Sequence, residues 1–173
     1  KEVVTGYTEL PGRAPLPQFW TLGYHQSRWG YRCEADVRKI AGLMRKHDIP
    51  CDTIHLDIDY MDGYRVFTID KKKFPDMKRL TEDLAKEGIR IVTIMDPGVK
   101  SEKGYPVYDE GAEKKYFAQT PDGEIYENVV WPGDSVYPDF GRADVREWWG
   151  SHYQLLTDNG IAGIWTDMNE PSI

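Results

Sequence analysis

Three short apolar runs in this chain each stop at an aspartate. Thr53-Ile54-His55-Leu56 leads into Asp57, Arg90-Ile91-Val92-Thr93-Ile94-Met95 into Asp96, and Gly163-Ile164-Trp165-Thr166 into Asp167. Each run is brief, rich in β-branched residues and bounded by turn formers, which reads as a strand buried on both faces. One aspartate after a strand reads equally well as the cap of the next helix. Three of them in separate units point instead to a shared carboxylate-lined face, because parallel strands gather their C-terminal tips at one end.

The segments between the runs are helical in period. Over Cys33–His47, Val37, Ile40, Ala41 and Met44 recur every three to four residues with charges between them. Pro75–Lys86 places Met77, Leu80 and Leu84 on one side, and Gly88 follows as a C-cap. Ala143–Thr157 predicts a third helix, in which Trp148 and Trp149 are expected in the core. Strands are expected over Phe19–His25, Asp52–Asp57, Ile89–Met95 and Ile161–Thr166, with residues 1–18 irregular, although Lys1–Leu10 could form a helix. The stretch 97–142, rich in Gly, Pro and aromatic residues, reads as a long loop inserted after the third strand, and such loops commonly wall a binding site.

Alternation of strand and helix implies parallel strands joined by right-handed crossovers. No G-x-G-x-x-G follows the first strand, so a dinucleotide-binding sheet is not supported. Carboxylates at several strand ends favour a (β/α)8 barrel, which needs about 250 residues. The chain has 173 residues and is therefore read as a partial barrel spanning 1–173, its first four strands and three helices, with the 97–142 loop inside it.

A net charge of −7 without a basic patch argues against nucleic acid or an anionic membrane as partner. No leader or membrane-spanning segment is evident; the compartment stays open, with the cytoplasm slightly favoured. Cys33 and Cys51 form no C-x-x-C pair and read as free thiols. Asp57-Ile58-Asp59-Tyr60-Met61-Asp62-Gly63 has the outline of a calcium loop, but Met61 and Thr68 occupy ligand positions, so no metal is expected. No cofactor is expected either. His25 and His55 lie within strands and read as hydrogen-bonded core residues.

Several motifs, in order along the chain, carry a resemblance. Gly163-Ile164-Trp165-Thr166-Asp167-Met168-Asn169-Glu170-Pro171-Ser172 is similar to the nucleophile signature of glycoside hydrolase family 31, the retaining α-glucosidase family. Gly23-Tyr24-His25-Gln26-Ser27-Arg28-Trp29-Gly30-Tyr31, Asp57-Ile58-Asp59-Tyr60-Met61-Asp62, Asp96-Pro97-Gly98, Val130-Trp131-Pro132-Gly133 and Tyr137-Pro138-Asp139-Phe140 resemble its other barrel and loop motifs. The resemblance implies an exo-acting enzyme that releases α-linked glucose from the non-reducing end of an oligosaccharide, with Asp167 as nucleophile. It implies an acid/base aspartate on a later strand, outside this chain, so that the rest of the polypeptide completes the barrel. It assigns sugar contacts to Trp29, Asp57, Ile58, Ile94, Trp131 and Met168, and leaves Asp96 and Glu170 as groups that orient loops or the nucleophile. Asp59 is read as structural. An α-xylosidase, a transglucosylase or a catalytically silent carbohydrate-binding homologue are the competing readings.

Overall fold

The computed structural model describes residues 1–170 and Ser172. Pro171, part of the signature run, lies outside the described residues, as does Ile173. Helix α1 (Glu2–Glu9) precedes strand β1 (His25–Ser27), helix α2 (Glu34–Lys46), strand β2 (Thr53–Leu56), helix α3 (Met77–Lys86) and strand β3 (Arg90–Met95). Strand β4 (Val99–Lys100), helix α4 (Pro106–Glu113) and strands β5 (Glu127–Val130) and β6 (Gly133–Val136) follow. Helices α5 (Ala143–His152) and α6 (Gln154–Asp158) lead to strand β7 (Gly163–Thr166). Strands β1-β2-β3-β7 form a parallel sheet in that order. This is the arc of a partial barrel.

The sheet's middle is its core. Ile54, Leu56, Ile91, Ile94 and Met95 of β2 and β3 are buried, as the continuous apolar runs require of strands covered on both faces. Helix α2 buries Val37, Ala41 and Met44, and α3 buries Met77, Leu80, Thr81 and Leu84, each a stripe at helical spacing. Helix α3 is closed at both ends. The Asp76 carboxylate accepts the Arg79 N–H at 2.9 Å, and Gly88, at φ 79°, allows Ile89 N–H to reach the Leu84 carbonyl at 2.9 Å. Trp148 and Trp149 are buried, and both cysteines are free.

Four expectations change. The first strand is not Phe19–His25 but His25–Ser27; Phe19–Leu22 winds into a 3₁₀ turn, and pairing begins only at His25↔Thr53. The helix over Ala143–Thr157 breaks at Tyr153 into two pieces. Residues 1–18 contain a helix after all, α1, but none of its residues is buried. The stretch 97–142 is more than a loop: β4, β6 and β5 make a three-stranded antiparallel sheet. Its strands were hidden because Glu-Asn-Val-Val and Gly-Asp-Ser-Val are short and do not alternate cleanly.

Candidate active site

Side chains two apart on a strand share a face. In β2 that rule groups His55 with Asp57, in β3 Val92 and Ile94 with Asp96, and in β7 Gly163 and Trp165 with Asp167. The parallel register sets these faces side by side, since Ile94 pairs with Trp165 and Met95 with Thr166. Asp96 and Asp167 are each the next residue beyond the last pair. The layers below are ordered as well: the His55 ring lies 6.1 Å from the Trp165 ring, and His25 Nδ1 and His55 Nε2 are 3.0 Å apart in a hydrogen bond. The two histidines are thus bonded to each other within the sheet. Trp165 was given no site role from the sequence. Its position two before Asp167 was the available signal.

The three carboxylates differ in environment. Asp57 is half-buried, and its Oδ1 accepts the Ile58 N–H at 2.8 Å, capping a 3₁₀ turn over Ile58–Tyr60. Burial raises its pKa above the ordinary value; the Ile58 N–H opposes this, while the charges of Asp59 and Asp167 add to it. Asp96 is 7% exposed, and its Oδ1 has no hydrogen-bond partner among the described residues. Burial first, then the nearby Asp167 and Asp57 charges, push its pKa up to about 7. Asp167 is exposed, and its Oδ1 accepts the Met168 N–H at 2.9 Å. Asp57 and Asp167 thus meet the chain in the same way, each bonded to the N–H of the next residue. Met168 sits at φ 57°, left-handed backbone that a non-glycine residue seldom adopts and that clusters at functional sites.

Aromatic side chains rise beside the carboxylates. Trp131 and Pro132 are the two turn residues of the β5–β6 hairpin, closed by the Val130↔Gly133 pair and by Gly133 at φ 100°. Trp29 comes from the loop after β1, and its ring centroid lies 5.6 Å from that of Trp131, tilted by 57°. The two rings are 53% and 50% exposed, so both present open faces. Ile58, Asp96, Trp131 and Met168 line one recess together with Tyr64 and Tyr137. Its volume is about 10 Å³, room for a water but not a sugar. Ile94 is buried in the layer below, where its carbonyl accepts the Tyr60 hydroxyl at 2.8 Å.

Two acidic residues stand apart. Were β2 to continue, Asp59 would share the face of Asp57; the 3₁₀ turn separates them, and Asp59 is buried with Oδ2 accepting the Trp29 indole N–H at 2.8 Å. Glu170 is exposed and accepts the Ser172 hydroxyl, which holds its pKa down. It makes no hydrogen bond to Asp167 among the described residues. No group of three or more His, Cys, Asp or Glu among them is arranged to hold a metal ion.

A larger hollow of about 450 Å³ lies against Met95, Pro97, Phe140, Trp149 and Thr166. By the strand alternation Met95 and Thr166 point away from the carboxylates. The hollow therefore opens toward the helix side of the sheet, and Tyr137 separates it from the recess beside Asp96.

The sequence profile of the glycosyl hydrolases family 31 TIM-barrel domain matches residues 14–173. Alpha-glucosidase 2 of Bacillus thermoamyloliquefaciens is 53% identical over 173 residues, all of this chain and 22% of that protein. The crystal structure of the family 31 alpha-glucosidase from Bacteroides thetaiotaomicron superposes with a TM-score of 0.91 at 41% identity, over 99% of this chain and 29% of that one. The glucosidase II alpha subunit in its alpha3-Glc2-bound form superposes at 0.92 and 39% identity, over 98% of this chain and 19% of its own. The chain thus spans only 19% to 29% of the length of these relatives. With its partial parallel barrel, its carboxylates gathered at the strand ends and a profile match over nearly its whole length, the chain belongs to glycosyl hydrolase family 31.

Proposed function

We propose that the protein containing this chain is a retaining, exo-acting α-glucosidase that removes α-linked glucose from the non-reducing end of an oligosaccharide. The observation that carries the reading is the convergence of Asp57, Asp96 and Asp167 at the C-terminal tips of three neighbouring strands, with Asp167 the most open to solvent. The names of the relatives support the substrate class.

The chemistry assigns each group a task. A retaining glycosidase attacks the anomeric carbon with a carboxylate and forms a glycosyl ester, which water then cleaves. Asp167 is the nucleophile: it is accessible, and the Met168 N–H steadies one oxygen while the other is left for attack. The partner acid must lie about 5–5.5 Å away to protonate the leaving oxygen and later activate water. We place it in the part of the polypeptide beyond this chain, which would also complete the barrel and enlarge the recess. Asp57 accepts sugar hydroxyls with the lone pairs that Ile58 leaves free, and hydrogen bonds to a charged acceptor are the strong ones. Trp29 and Trp131 offer flat apolar walls to the C–H faces of a sugar, while Ile58 and Met168 close the recess and Ile94 supports it from below. Asp96 orients the nucleophile from the adjacent strand. No cofactor enters the scheme.

The test is hydrolysis by the full-length protein of a small α-glucoside, followed by NMR. The first product formed should be α-glucose, and Asp167→Asn should remove turnover by at least about a thousandfold while the protein stays folded, as expected when a nucleophile is lost. A β-anomeric first product, or an active Asp167→Asn protein, would overturn the reading. Faster hydrolysis of the matching α-xyloside than of the α-glucoside would move it to an α-xylosidase. A folded parent protein that binds sugar without cleaving it would favour the silent carbohydrate-binding homologue.

A further inference from the structure

Trp29 is anchored by a residue that the reaction itself does not require. It stands in a loop, half exposed, between the end of β1 at Ser27 and the start of α2 at Glu34. A tryptophan on such a loop has its ring orientation set by whatever holds the indole N–H. Here that is Asp59, whose Oδ2 lies 2.8 Å from Nε1. Asp59 is itself only 7% exposed and fixed in the 3₁₀ turn directly after Asp57. The Lys73 ammonium reaches the backbone carbonyl of Asp59 at 3.3 Å and ties the turn from its other side. The Trp29 ring then meets Trp131, carried by the β5–β6 hairpin. One hydrogen bond and one ring contact thus couple three separate pieces of chain: the loop after β1, the turn after β2 and the hairpin.

We propose that Asp59 is a positioning residue for sugar binding, which locks the Trp29 indole against Trp131 and so fixes the aromatic wall of the site. The proposal rests on the α-glucosidase reading above. An indole N–H on a half-exposed ring finds water if Asp59 is lost, so the fold loses little. The wall, however, becomes free to turn, and binding must then order it. The effect belongs in sugar affinity rather than in the chemical step. Asp59 also places a negative charge near Asp57, and this second influence has to be separated from the first. Asp59→Asn does so, because its amide oxygen still accepts the indole N–H while the charge is gone. Asp59→Leu keeps the bulk and removes the acceptor. Trp29→Phe keeps an aromatic ring and removes the donor.

In the full-length protein, Asp59→Leu should raise KM for a small α-glucoside by about two- to tenfold, the range expected for one net hydrogen bond, with kcat within about twofold. Asp59→Asn should stay within about twofold in both constants. Trp29→Phe should raise KM comparably, and the double variant Asp59→Leu/Trp29→Phe should be no worse than the more impaired single variant, since both remove the same bond. Isothermal titration of maltose into the same variants on an Asp167→Asn background should show the same ordering without turnover. Additive losses in the double variant, or Asp59→Asn as impaired as Asp59→Leu, would overturn the proposal and assign Asp59 a charge effect on Asp57. Should Asp59→Leu fail to fold, Asp59→Ala, which also removes the acceptor, takes its place, and an unchanged KM contradicts the proposal. A parent protein without α-glucoside hydrolysis would instead defeat the functional reading on which this one stands.

Discussion

Asp96 is the residue whose chemistry is most altered by its surroundings. It is held between two other carboxylates with an oxygen that nothing in the described residues satisfies. An acid whose pKa is raised on folding holds its proton more tightly in the folded state than in the unfolded one. Its favourable contribution is therefore whole at low pH and is lost as pH rises, here from about 3.8 toward about 7. Asp96→Asn removes the charge and should leave the protein more heat-resistant than its parent, by a margin that widens from pH 5 to pH 8. Thermal melts across that range check it; a constant or shrinking margin would mean that the Asp96 charge is neutralised by a group beyond this chain. At this scale the three carboxylates of the candidate site were legible. Asp57, Asp96 and Asp167 stood out because each ends a buried run, and the chain brings them together. Trp165 carried no assignment, because an aromatic residue inside an apolar run reads first as core. The Asp59–Trp29 bond was not readable at all, because it joins residues 30 apart through a 3₁₀ turn that no periodicity announces.

The elements that position the site differ in how they were encoded. Helices α2 and α3 and strands β2 and β3 follow their apolar periods to within a residue or two, since burial of a stripe or a run is what stabilises them. The inserted sheet follows a different logic. Its strands are short, and it is shaped by close approaches such as that of Gly98 to the hairpin. A Cβ on Gly98 would lie 2.8 Å from Val130 Cγ2, on the strand that delivers Trp131. Gly98→Ala should therefore push the hairpin outward, weaken maltose binding in the full-length protein and cost about 1–3 kcal/mol, as overpacking does. Val130→Ala in the same molecule removes the clashing methyl and should restore most of both losses. Calorimetric melts with a parallel maltose titration read the pair. Independent, additive losses from the two substitutions would place the strain elsewhere.

At the scale of the molecule, the four-stranded arc has two unpaired edges, β1 and β7, and these strands are less buried than β2 and β3 between them. Parallel strands of this kind are otherwise covered on both faces and joined at both edges. The open edge at β7 lies beside Asp167, the residue proposed as nucleophile. The strand count could be read from the sequence because each strand-helix unit is local, whereas a pocket joins side chains from units far apart along the chain. The central claim remains chemical. A slow fluorinated α-glucosyl substrate, given to the full-length protein, should accumulate the covalent glycosyl ester that a retaining mechanism forms. Tandem mass spectrometry of the digested protein should find one sugar on Asp167, within the peptide from Trp165 to Glu170, and no label in the Asp167→Asn variant. A sugar mapped to Asp57, Asp96 or Glu170 would contradict the account.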